Sequence, residues 1–169
     1  MPGLSSFDCE GTLTIGGISM NRAAWAVVGD SEGQGGLLPL WVTVDQRGED
    51  RLLPGTIGVI PYRRRATVTR HDLRLLVVGD VDLNGDPVVN TRNGLAANLA
   101  YLYTNVVAPV GTGDGTRSVT LTVFGQANRT GWMHVLGLQV QRYSFGNPTT
   151  EPSICEATLQ ISIPSGQLV

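Results

Sequence analysis

Most of the chain alternates between apolar and polar residues with a period of two, the mark of half-buried β-strands. Leu13 and Ile15 alternate with Thr12 and Thr14, and the run turns at Gly16-Gly17. Val119, Leu121 and Val123 alternate with Ser118, Thr120 and Thr122. Leu136, Leu138 and Val140 alternate with Gly137, Gln139 and Gln141, and Ala157, Leu159, Ile161 and Ile163 with Thr158, Gln160 and Ser162. Residues 65–70 alternate in the same way. Leu73 to Val78 is apolar on both faces apart from Arg74, which predicts a central strand covered on both sides. Strands are also expected at 38–44, with Pro39 at its start, and around 51–53 and 56–60, with Pro54-Gly55 as the turn between the last two. Ala23 to Val28 fits a strand or a short helix.

One stretch breaks the pattern. Leu95, Leu99, Leu102 and Val106 recur at i, i+4, i+7 and i+11, one face of a helix over about residues 93–107. Asn90, Thr91 and Asn93 offer cap oxygens for its first turn, and Pro109 cannot continue it. Gly94 weakens that turn. The fold class is therefore mainly β with one α-helix, its leucine face laid on a sheet of eight to ten short strands. Residues 1–10 read as a flexible arm and residues 11–169 as one domain. Gly-rich loops are expected at 29–36 and 111–116.

Composition adds a bias toward assembly. Of 169 residues 41% are hydrophobic and only 15% charged, as in surfaces that other subunits cover. The outward strand faces carry Thr, Ser and Gln. No apolar run reaches membrane-spanning length, and residues 1–4 lack the regions of a secretory signal. A net charge of −2 gives no general nucleic-acid footprint. All twelve basic residues are Arg, which fits a GC-rich genome because lysine codons are AT-rich. Two free thiols are expected at Cys9 and Cys155.

Candidate chemistry is sparse. Asp80, Asp82, Asn84 and Asp86 stand at positions 1, 3, 5 and 7 of a calcium-loop pattern, with Gly85 at position 6. The pattern then fails, with Pro87 at position 8 and Thr91 where a bidentate carboxylate belongs. A strand-to-helix connection with Asx turns is favoured, and these four residues are kept as a weak metal alternative. His71 and Asp72 are adjacent and so face opposite sides of a strand, and His134 is the only other histidine. No G-x-S-x-G motif is present, and Gly111–Gly115 lacks the Lys-Ser/Thr of a phosphate loop. The expectation is no catalytic residue, no enzyme activity and no cofactor. Arg63-Arg64-Arg65, the only basic cluster, is the candidate subunit interface, facing acids such as Asp45, Glu49 or Asp50. Asn128-Arg129-Thr130 matches a glycosylation sequon by chance.

The run from Arg70 to Pro109, RHDLRLLVVGDVDLNGDPVVNTRNGLAANLAYLYTNVVAP, resembles the minor tail proteins of long-tailed phages that infect actinobacteria. In those proteins an L-x-x-L-V-x-G-D-x-D segment leads into an N-G-L-x-x-N-L-x-Y-L helix that ends in Val-Val-x-Pro. The closing strand through Glu156–Pro164 is similar as well. The resemblance implies a tail-tube-like β-sandwich or split barrel with one flanking helix. It implies hexameric rings around a channel, at the distal end of a virion tail assembled in the host cytoplasm. The implied partners are further copies of the chain, the tail tube protein, the tape measure protein and tail-tip hub proteins. No membrane is involved, and DNA passes the lumen at most transiently. The resemblance carries no catalytic residues. A tail terminator, major tail tube or head–tail connector ring is the alternative within this class. A carbohydrate- or calcium-binding β-sandwich module, marked by a surface aromatic cluster, is the alternative outside it.

Overall fold

The computed structural model describes residues 11–29, 36–37, 40, 46–47, 51–52, 59–60, 65–66, 68–108, 115–123, 126–165 and 168–169. In chain order the strands are β1 (Gly11–Ile15), β2 (Ile18–Ser19), β3 (Trp25–Val27), β4 (Gln46–Arg47), β5 (Arg51–Leu52), β6 (Val59–Ile60), β7 (Arg65–Ala66), β8 (Thr69–Val78), β9 (Thr116–Val123), β10 (Arg129–Ser144) and β11 (Ile154–Ile163). The helix α1 spans Thr91–Leu102 and continues into a wider π-type turn at Tyr103–Val107. Seven strands form one curled antiparallel half-barrel sheet in the order β2-β1-β9-β10-β11-β8-β3. β4 pairs with β7 and β5 with β6 in two small ladders.

The register explains the core. Leu13 lies opposite Leu121, Leu138 opposite Leu159, Leu73 opposite Leu159, and Trp25 opposite Val77. Directly opposed residues share a sheet face. One face therefore collects most apolar members of the seven strands, and Leu13, Ile15, Trp25, Leu73, Leu75, Leu121, Leu159 and Ile161 are buried there. The other face carries Thr12, Thr120, Gln139, Gln160 and Arg74.

The helix closes the apolar face. Leu95, Leu102 and Val106 are buried as their spacing predicts, and Leu99 is partly buried. Asn90 is the N-cap, its side chain accepting from the Asn93 N–H at 3.1 Å. Gly94 is no mere weakness: the helix backbone there lies against the backbone of Gly79 at the end of β8. Between them Asn98, buried, donates to the carbonyls of Val78 (2.8 Å) and Val81 (3.0 Å). Trp25 holds the other flank, with its ring stacked on Tyr101 at 6.0 Å and its indole N–H donating to Ser19 O. At the far end the Arg117 guanidinium donates to the carbonyls of Val106 and Ala108, satisfying orphan acceptors and opposing the negative end of the dipole. Ala108 is already extended, as expected of the residue before Pro109.

Several strands depart from expectation. The alternation at 65–70 and the apolar run at 73–78 belong to two elements, β7 and a ten-residue β8. β8 is sixth of seven in the sheet, and Arg74 and Leu76 on its outer face are only half-buried, so it is not a central strand covered on both sides. Ala23 to Val28 resolves as the strand β3. The eleven strands named exceed the expected eight to ten, and β10 with 16 residues is not short. The expected strand at 38–44 lies outside the described residues except at Leu40. That residue is in a helical turn, its N–H donating to Leu37 O at 3.1 Å. The arm at 1–10 and most of the Gly-rich loops also lie outside the described residues.

Candidate assembly surface

β10 outruns its neighbour. Its first part, Arg129–His134, pairs with β9, and His134 pairs with both β9 and β11. From Val135 to Ser144 it pairs with β11 alone, and among the described residues no strand lies along its other edge. Such an edge presents a row of unpaired N–H and C=O groups. Two bulges interrupt the ladder, between Val135 and Gly137 and between Val140 and Arg142. Each inserts a residue and shifts the alternation. Leu136, expected inside, is the residue inserted at the first bulge and is 53% exposed, whereas Val140 keeps the core face opposite Ala157 and is 50% exposed where it lines the cleft described next.

Above this edge runs the flank of α1. Arg92, Leu95, Ala96 and Leu99 from the helix face Val140, Tyr143 and Phe145 from the end of β10, with Cys155 of β11 as floor. Together they line a partly open apolar cleft of about 220 Å³. Tyr143 and Phe145 are 66% and 53% exposed, with ring centroids 5.0 Å apart at 46°. Arg92 lies 5.7 Å over the Phe145 ring and donates to Gly146 O through Nε (3.4 Å) and Nη2 (3.2 Å). This fixes the cation at the mouth of the cleft. The loop after β10 is fastened to the helix start. The Thr91 N–H donates to Pro148 O, and its hydroxyl to Glu151 O, both at 2.9 Å.

Burial raises the Cys155 thiol pKa, and Glu156 beside it adds to the rise. The thiol is free. Cys9 lies outside the described residues.

The Asp80–Asp86 loop is held by its own backbone. One oxygen of Asp82 accepts from the N–H of Asn84 (2.8 Å) and of Asp86 (2.9 Å), and an isolated bridge joins Val81 to Pro87. These bonds lower the Asp82 pKa, the Asp86 N–H most and the Asn84 N–H next. Among the described residues no three His, Cys, Asp or Glu side chains converge as a metal-holding group. His71 and Asp72 lie opposite Ile161 and Gln160, on opposite sheet faces, and His134 opposite Ser162 shares the face of Asp72, not of His71. Of the arginine cluster, Arg63 and Arg64 lie outside the described residues, and Arg65 is described only as part of β7. Trp25 is buried, Trp132 is exposed and Trp41 lies outside the described residues. Among the described residues no helix is long and apolar enough to cross a membrane.

The surface built by α1 and β10 was not among the sequence candidates. Its one legible signal is Tyr143 and Phe145, two aromatics two residues apart at the end of β10 and just beyond it.

No family model matches the chain. No curated protein matches it. Among solved structures the chain is similar to the SPP1 Dit (gp 19.1) protein, described as a paradigm of the hub adsorption apparatus in phages infecting Gram-positive hosts. That match has 15% identity and a TM-score of 0.46. It covers 90% of this chain and 49% of the other, so the chain spans about half the length of that structure.

Proposed function

We propose that the chain is a structural subunit of a phage tail, assembling into a ring at the distal end between the tail tube and the tip. One observation carries the assembly reading: from Val135 to Ser144 one edge of β10 meets no strand among the described residues and runs beside an exposed apolar row, an unfinished sheet that a neighbouring copy would complete. The sequence resemblance over Arg70–Pro109 supplies the tail context, and the low charge fraction agrees with subunit packing. In this reading the chain acts by assembly and not by catalysis. A closed ring joins one face of each copy to a different face of the next. The test is solution mass together with negative-stain imaging. Hollow particles near six times 18.0 kDa, ~108 kDa, support the reading. A chain that stays monomeric at high concentration and in the presence of tail tube protein argues against it.

A second reading has its own observation. Tyr143 and Phe145 form an exposed aromatic pair, the feature expected of a carbohydrate-binding module. Calorimetry against cell-wall polysaccharide separates the two. Saturable heat that Tyr143→Ala abolishes, from a monomeric protein, favours the module.

A further inference from the structure

We propose that Phe7-Asp8-Cys9-Glu10 of a second copy of this chain adds as a strand to the free edge of β10, with Phe7 seated in the cleft between α1 and β10. The edge asks for an extended backbone, and the cleft asks for an apolar side chain. An added strand places alternate side chains on opposite faces. On the helix side of the sheet they meet Val140, Tyr143 and Leu99. On the other side they meet Arg142, which lies opposite Glu156 and makes no ion pair among the described residues. The matching segment therefore alternates apolar and acidic residues, and Phe7-Asp8-Cys9-Glu10 does so through all four positions. Opposed charges across a strand pair favour that register.

Reach decides which copy supplies it. The segment leads into Gly11, which pairs with Val123 beyond the Arg129 end of β10. From Arg129 to Val140 the strand runs on the order of 30 Å, even with its bulges. Four extended residues span at most ~14 Å. The segment cannot reach the cleft of its own subunit, so the occupant comes from a neighbour. Among the described residues no strand fills the lane beyond Thr116 of β9; the added strand takes it, and the apolar surface around Val140 and Tyr143 becomes covered.

The inference rests on the assembly reading in taking the partner to be another copy. The test titrates a fluorescent peptide of residues 4–12 with the full chain carrying Phe7→Ala, whose own segment competes weakly. Saturable binding is expected, at least tenfold weaker for the Phe7→Ala peptide and for the protein that also carries Tyr143→Ser. The Asp8→Arg/Glu10→Arg peptide should bind several-fold more weakly, and Arg142→Glu in the protein should restore it. A peptide that does not bind, or that binds without regard to Tyr143 and Arg142, overturns the inference. Rings that form while the peptide is ignored overturn this inference alone. Peptide uptake by a chain that forms only pairs or open filaments overturns the ring and leaves the added strand standing.

Discussion

Gly94 and Gly79 meet backbone to backbone. A Cβ on Gly94 would stand 2.2 Å from the Gly79 carbonyl oxygen, and one on Gly79 would stand 2.0 Å from the Thr91 carbonyl oxygen. In a free helix Gly94→Ala would gain ~1 kcal/mol of propensity. Here the clash is with backbone, which cannot rotate away, and overpacking of this kind costs ~1–3 kcal/mol or more. The expected net effect is destabilisation by ~2 kcal/mol, a fall in Tm of ~5 °C by calorimetry. A stabilised variant would mean that helix and strand end are not in contact.

Asn98 is the second tie between α1 and β8. Asn98→Ala leaves two buried carbonyls without their donor, at about 1–3 kcal/mol each. Asn98→Asp is expected to be worse at neutral pH, because a carboxylate would face two carbonyl oxygens. Its carboxyl pKa is then raised on folding, so the deficit should shrink as pH falls and the group protonates. Urea melts of both variants at pH 7 and pH 4 test the difference.

Arg117 closes the other end of the helix. Its guanidinium reaches Val106 O at 3.4 Å and also holds Ala108 O. Arg117→Met keeps the apolar stem and should lose about 1.5–3 kcal/mol. Arg117→Lys should recover part of that loss, since one ammonium does not match a planar fork. Hydrogen exchange should show the loss as earlier opening of residues 103–108.

Cys155 is expected to be chemically quiet. Burial and the Glu156 charge raise its pKa, so little thiolate forms at neutral pH. In a Cys9→Ser chain, iodoacetamide at pH 7.5 should leave Cys155 unlabelled until denaturant is added. Labelling at the rate of a free thiol in native buffer would show that the cleft floor is open.

Asp82 gives the loop before the helix its pH dependence. Its pKa is lowered by the N–H groups of Asp86 and Asn84, so the ionised form is favoured by folding. That contribution is present above the ordinary aspartate value and is lost as pH falls through the lowered folded value. Carboxyl-carbon NMR should find Asp82 titrating below the ordinary aspartate value. Asp82→Asn should flatten the loop's acid sensitivity.

The helix and the strands β1, β9 and β11 were legible because each keeps one period over its whole length. Asn90 was legible as a cap because its side chain acts three residues away. Gly94 looked like a flaw, since nothing local reveals that Gly79, fifteen residues earlier, must touch it. β10 misled because a bulge puts Leu136 out of step with Leu138 and Val140, and a second shifts the alternation after Val140. Beyond the Tyr143 and Phe145 pair the cleft could not be read: Arg92 and Phe145 are 53 residues apart and meet only when the helix lies down beside the strand.

The two bulges have one more effect. They leave Gly137–Val140 as the regular stretch between them, four residues long. A strand arriving beside Arg142 and Tyr143 must follow the second bulge, and a slip of one residue would turn its apolar side chains to solvent. The irregularities thus act as stops that admit a short guest in one alignment. They also deny a long flat template to any passing chain, so an edge left open for joining is guarded against indiscriminate stacking.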